Sequence, residues 1–258
     1  MCMFTGEVKS VSKTKIAVIA CQTSGEILTT YTNTVSSDND NNMVLPVAID
    51  NYKQIRLVDM SKEDQLFDYL DTIFNPPRRS SGARGIMLSM KSDSHEKLEV
   101  FEVGSFKISI VPSFDDFCKL DESQVGEVSP KMVELLEKTY QGEQKFSFLV
   151  CKFKGGDHQF HPIGWTVPIR SWAFVPTMHF HGEIEASADW DHDIYFVGFG
   201  PSKDIKTLAS FPKYAWMDFA YKFKDSTIGT ITEDKKNSFT ISVHGSKINC
   251  DIVVPLLA

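Results

Sequence analysis

The sequence predicts an α+β fold dominated by mainly antiparallel sheet, with about three short helices at its periphery. Apolar residues recur with a period of two along most of the chain, the spacing of a strand with one face inward. The strand-like runs are joined by brief Gly, Ser and Asp punctuation, too short for the crossovers that parallel strands require. Phenylalanine is abundant, 19 against 4 Trp and 7 Tyr in 258 residues, and aromatic side chains pack well on pleated surfaces.

Taken in order, strands are expected at Lys15–Cys21 and Glu26–Thr32, split by Thr23-Ser24-Gly25, and then at Asn42–Ile49 and Gln54–Asp59. A helix is expected over Lys62–Phe74: Ser61 stands three residues before Asp64, the spacing of a capping box, and Leu66, Phe67, Leu70 and Ile73 form a stripe. Lys97–Val103 and Phe106–Val111 flank Gly104-Ser105 as a hairpin. Ser113 can cap a helix over Phe114–Leu120, and Ser129-Pro130 opens one reaching Tyr140. Further strands follow at Phe146–Phe153, Gln159–Val167 (after a Gly155-Gly156-Asp157 turn), Trp172–Phe180, Ile194–Phe199, Thr227–Ile231, Phe239–His244 and Lys247–Val254. Gly245-Ser246 reads as the turn between the last two. The runs 36–42 and 76–85 read as exposed loops. Residues 1–200 are expected to form the main sheet-rich domain, and residues 201–258 a C-terminal extension continuous with its sheet.

With 27 basic and 34 acidic residues and a net charge of -7, the chain lacks the basic footprint of a nucleic-acid binder. Its start has no basic segment followed by an apolar run, and no stretch reaches the ~20 apolar residues of a membrane span, so neither a secretory signal nor a membrane is expected. Five cysteines, odd in number and widely spaced, form no CxxC pair. They indicate a reduced, cytoplasmic setting rather than a disulfide framework.

Polar chemistry concentrates in 178–195. If Trp172–Phe180 continues as a strand, His179 and His181 project from one face, and two imidazoles so placed can converge on one metal ion. Asp191 or His192 would close the site if the intervening turn folds back, and zinc or a similar transition metal suits such a set. The competing reading is a histidine–carboxylate network holding strands in register. The run Asp189–Asp193 is no EF-hand, because Ile194 replaces the required glycine. Cys2 is the enzymatic candidate: removal of Met1 would place an α-amine beside its thiol, the apparatus of an N-terminal-nucleophile amidohydrolase. Its plain alternative is a small buried residue of the first strand. No P-loop, dinucleotide fingerprint or serine elbow appears.

A wider pattern joins these segments. Met1-Cys2-Met3-Phe4, Met43-Val44-Leu45-Pro46-Val47, Val111-Pro112-Ser113-Phe114-Asp115-Asp116-Phe117, His161-Pro162, and Pro176-Thr177-Met178-His179-Phe180-His181 ahead of Asp191-His192 and Tyr195 occur in one order. Together they resemble a family of uncharacterised, mostly bacterial proteins over residues 1–200. This chain departs from that pattern where Gly182 follows His181 directly in place of Asp-Gly. The resemblance implies a shared fold and no particular reaction. The leading expectation is therefore a soluble intracellular binding or assembly protein with a protein partner or self-association. The alternatives are the Cys2 hydrolase and a metal-binding protein built on His179 and His181.

Overall fold

The computed structural model describes residues 3–21, 24–74, 97–180, 187–198, 230–234 and 238–255. Strand far outweighs helix, and the sheets are mainly antiparallel, in keeping with the α+β expectation. Five strands, β1 (Met3–Phe4), β4 (Asn41–Ala48), β8 (Phe146–Phe153), β7 (Phe106–Val111) and β6 (Val100–Val103), form one sheet in that order, every pair antiparallel. The second sheet runs β13 (Thr230–Asp234), β14 (Ser238–Ile248), β12 (Ser187–Val197), β2 (Ser10–Cys21), β3 (Glu26–Ser37), β10 (Ile163–Pro168) and β5 (Arg56–Val58), with β9 (Gly156–Gln159) also on β3. Here β2 and β12 are the one parallel pair among the described strands. A two-stranded ribbon pairs β11 (Trp172–Val175) with β15 (Ile252–Pro255).

Side-chain alternation stacks these sheets into layers. Met43, Leu45 and Val47 of β4, with Leu149, Cys151 and Phe153 of β8, face Ile16 and Val18 of β2 and Ile194 and Phe196 of β12 across the central core. The opposite face of the same β4 and β8 strands presents Val44, Phe146, Phe148 and Val150 to a second core. Because β4 and β8 are buried on both faces, they are apolar almost throughout rather than alternating. The second core is covered by α2 (Glu122–Val125), α3 (Pro130–Tyr140) and a 3-10 segment over Phe114–Lys119. On the far side of the eight-stranded sheet, α1 (Leu66–Phe74) covers Ala17 and Tyr195 with Phe67, Leu70 and Phe74.

The sequence-based boundaries fail where tertiary pairing intervenes. Gly245-Ser246 is no turn: β14 passes straight through it, with Gly245 opposite Trp190 in an unbroken register. Gly155-Gly156 does not close a hairpin either, because β8 and β9 belong to different sheets. Asn41, expected in an exposed loop, is buried with Asn42 at the start of β4. There the Asn41 carboxamide oxygen accepts from the Gly6 and Asn42 backbone N–H groups at 2.9 and 2.8 Å, which satisfies that buried oxygen. The Gln159–Val167 strand divides into β9 and β10 around Pro162, which lacks an N–H for a ladder. Helix α1 begins at Leu66 rather than Lys62. Ser61 does not cap it, and its own N–H instead donates to the Asp59 carboxylate at 2.9 Å. The Gly104-Ser105 hairpin forms as expected. Gly104 has a φ of 57°, and a Cβ there would lie 2.2 Å from the His161 ring, so only glycine suits this turn.

Candidate functional site

The region singled out for its histidines is organised by the C-terminal strand. β11 stops at Val175, and Pro176 follows without an N–H to continue the ladder. The next backbone groups are buried and take their partners from side chains. Asp251 Oδ1 accepts from the N–H groups of Thr177 (2.7 Å) and Met178 (2.8 Å), and Thr177 Oγ1 donates to the Cys250 carbonyl at 2.8 Å. The carboxamide of Asn249 pairs with both sides of His179, accepting from its N–H at 2.6 Å and donating to its carbonyl at 2.7 Å. Phe180 then bridges Met3 of β1 in parallel. An Asn–Cys–Asp triplet thus substitutes for a strand along 177–179, which is how a chain that has left the sheet keeps its buried polar groups satisfied.

The remaining oxygen of Asp251 accepts the Tyr140 hydroxyl of α3 at 2.7 Å. Asp251 is fully buried, and that burial pushes its carboxyl up to about 6 against the opposing pull of its three donors. Tyr140 is raised well above the usual phenol range by its own burial and by the adjacent charge.

His179 does not lie in a regular strand, and its buried ring packs on the side chains of β12. Its ring centroid is 5.5 Å from that of Trp190 and 5.1 Å from that of His192, which in turn lie 4.8 Å apart. Trp190 and His192 share the inward face of β12, two positions apart. His192 Nδ1 accepts from the Asp191 N–H at 3.1 Å, which places the proton of the neutral ring on Nε2. Burial holds His192 well below the ordinary imidazole range, and the neighbouring His179 acts in the same direction. The indole Nε1 of Trp190 is buried with no acceptor among the described residues.

Asp191 faces the other way. Its carboxylate accepts the Lys13 N–H at 2.8 Å, where β2 bulges and Lys13 takes a φ of 52°, and it lies 3.2 Å from Nδ1 of His244. Of the four expected metal ligands, the structure therefore brings His179 and His192 together and sends Asp191 to the opposite face of the strand. His181 and Cys2 lie outside the described residues. Among the described residues, no group of three or more His, Cys, Asp or Glu side chains gathers as metal ligands would. His158 stacks on Phe160, and His161 accepts the Ser105 N–H at 2.9 Å, so both belong to other parts of the fold. Asn249, Asp251 and Tyr140 carry the polar organisation of the region without having been singled out in the sequence. Their one signal is that Asn249-Cys250-Asp251 interrupts an apolar C-terminal run.

Beside His179 and Phe180 a cleft of about 920 Å³ opens, walled by the run from Phe4 to Val11 and by Lys131 of α3. No helix among the described residues is long and apolar enough to cross a membrane.

No protein-family model matches the chain. Its backbone is similar to that of baculovirus P35, with a TM-score of 0.55 at 15% sequence identity over 100% of both chains. It is also similar to a mutated baculovirus P35 after caspase cleavage, with a TM-score of 0.57 at 13% identity, covering 96% of this chain and 100% of that one. P35 in its complex with caspase-8 matches with a TM-score of 0.56 at 14% identity, over 96% and 97% of the two chains. At these identities the likeness is one of fold.

Proposed function

We propose that this chain acts by binding a protein partner, and that the partner is a protease of the caspase class. The observation that supports this reading is the end-to-end likeness of the fold to P35, a protein whose structures include a caspase-cleaved form and a complex with caspase-8. The layered sheets agree with it, since they supply a rigid frame from which loops can meet another protein. The test is to mix purified chain with active caspase-8 and follow peptide-substrate turnover, size-exclusion profile and intact mass. Loss of turnover with a co-eluting complex is expected. Unchanged turnover and separate elution would overturn the reading. Intact mass of protein from its natural host reports whether Met1 is retained there, and retention would end the Cys2 hydrolase alternative.

A second reading rests on the histidine pair. Two imidazoles sharing one tetrahedral zinc at N–Zn distances of about 2.0–2.1 Å have ring centroids about 5 Å apart, and those of His179 and His192 are 5.1 Å apart. In this reading zinc bridges His179 and His192, and His192 must give up the Asp191 N–H bond at Nδ1 to do so, since the neutral ring with its proton on Nε2 has no other lone pair. Elemental analysis of protein purified without chelator or added metal decides it: stoichiometric zinc, lost in His192→Phe, is expected, and metal-free protein excludes it.

A further inference from the structure

Helix α1 is seated differently from the rest of the fold. Its apolar face meets a cluster that, among the described residues, is separate from both larger cores: Phe67, Leu70 and Phe74 pack on Ala17 and Tyr195. The Phe67 and Phe74 rings each stand 5.8 Å from the Tyr195 ring. Nine residues are too few to hold a helix in water without such packing. The rest of its attachment is polar. The Asp71 carboxylate accepts the Tyr195 hydroxyl on one oxygen and the Lys15 ammonium, at 2.7 Å, on the other. One carboxylate thus ties α1 to two adjacent strands, β12 and β2. It does so at the margin of the core, where the Lys15 and Asp71 side chains remain 24% and 38% exposed. Tyr69 is 58% exposed, so the outer face of α1 is not a second anchor.

We infer that α1 is a detachable strap: it leaves the eight-stranded sheet and unfolds as a unit without global unfolding, and Asp71 is its latch. The physical reason is that, among the described residues, a short helix on a small satellite cluster opens by giving up that cluster, its contacts with β13 and its polar tie, whereas the sheets beneath it keep their ladders and their own cores. The Tyr195 hydroxyl, raised above the usual phenol range first by burial and then by its bond to Asp71, remains a donor throughout the ordinary pH range and keeps the latch closed. This inference is independent of the partner reading.

Native-state hydrogen exchange with mass spectrometry on the full chain tests it. Amides of 66–74 should exchange at least tenfold faster than those of 130–140, with a weak denaturant dependence that marks local opening. Asp71→Asn should speed exchange at 66–74 by about tenfold or more while the denaturant dependence there stays weak. Tyr195→Phe, which keeps the ring, should act in the same direction. Equal protection and equal denaturant dependence of the two helices would overturn the inference, as would unchanged exchange at 66–74 in folded Asp71→Asn. If that variant does not fold, the wild-type denaturant dependence alone decides between local and global opening.

Discussion

α1 and α3 are each a short amphipathic helix laid on the outer face of a sheet, and each is tied down by a tyrosine–aspartate hydrogen bond. In α3 the helix supplies the phenol, Tyr140, and the residue just before β15 the carboxylate, Asp251. In α1 the helix supplies the carboxylate, Asp71, and β12 the phenol, Tyr195. The pairs are chemically alike, but their surroundings differ. Asp251 is fully buried and also satisfies two backbone N–H groups, whereas Asp71 is partly solvated and shares its charge with Lys15. α3 is also capped by Ser129, begins with a proline, and buries Met132 and Leu136 in the second core. The comparison teaches that a hydrogen-bonded pair takes its structural weight from what loses its partner when the pair breaks. At Asp251 that includes buried main chain, and at Asp71 water can take over.

The largest expected effect is at Asp251. Asp251→Ala orphans the Tyr140 hydroxyl and the N–H groups of Thr177 and Met178, and should lower global stability by about 4 kcal/mol in urea denaturation. A loss as small as that of Asp71→Ala would break the comparison. Next in size is the pair of core truncations. Leu136→Ala should cost about 3 kcal/mol of global stability, while Leu70→Ala should cost about 2 kcal/mol, since its site lies at the margin and can relax. Exchange mapping sharpens this: the Leu70 loss should appear first at 66–74, and the Leu136 loss across the whole chain.

The pH dependence comes third. His192 is held neutral in the fold by burial, so below about 6.5 the unfolded chain takes up a proton that the folded one does not. Its contribution is present above that pH and is lost on acidification. Wild type should therefore lose about 1.4 kcal/mol of stability per pH unit relative to His192→Phe, read from urea midpoints between pH 6.5 and 5. Asp251 works with the opposite sign. Raised to about 6, it binds a proton in the fold before it does in the unfolded chain, so its contribution grows as pH falls from about 6 towards 4. Both proteins in the comparison carry Asp251, so its effect cancels there, and an Asp251→Asn background should steepen the acid loss of stability. The smallest effect is Tyr195→Phe, about 1 kcal/mol by urea denaturation, because Lys15 still accompanies Asp71.

The strand-rich class, most of the strands and the α3 helix were legible in the chain because their causes are local. Period-two alternation marks a strand wherever it pairs, and Ser129-Pro130 sets a helix start from capping geometry alone, with the Ser129 hydroxyl accepting the Met132 N–H at 3.3 Å. The Gly104-Ser105 hairpin was equally local, since its glycine is demanded by the turn itself. Which strands would be neighbours was not local. β2 and β12 lie side by side in parallel although some 170 residues separate them, and no short-range signal encodes that register. Gly245-Ser246 has the composition of a turn, yet pairing along the length of β12 keeps it within β14, with Gly245 at a φ of 75°.

The candidate site divides along the same line. Sequence by itself marked 178–195 as the polar stretch but began the strand at Ile194; alternation along β12 as it forms, from Ser187, puts Trp190 and His192 on one face and Asp191 on the other. Only the tertiary structure decided that His179 would leave its strand and rest against that face, that Asp191 would spend its carboxylate on Lys13, and that Asn249 and Asp251 would replace the missing ladder along Thr177–His179. The bonds to Lys13, Asn249 and Asp251 are meetings of groups 70 or more residues apart. Their partners are chosen by which buried N–H and carboxylate the packed layers leave facing one another, a matter of three-dimensional satisfaction that local spacing does not carry.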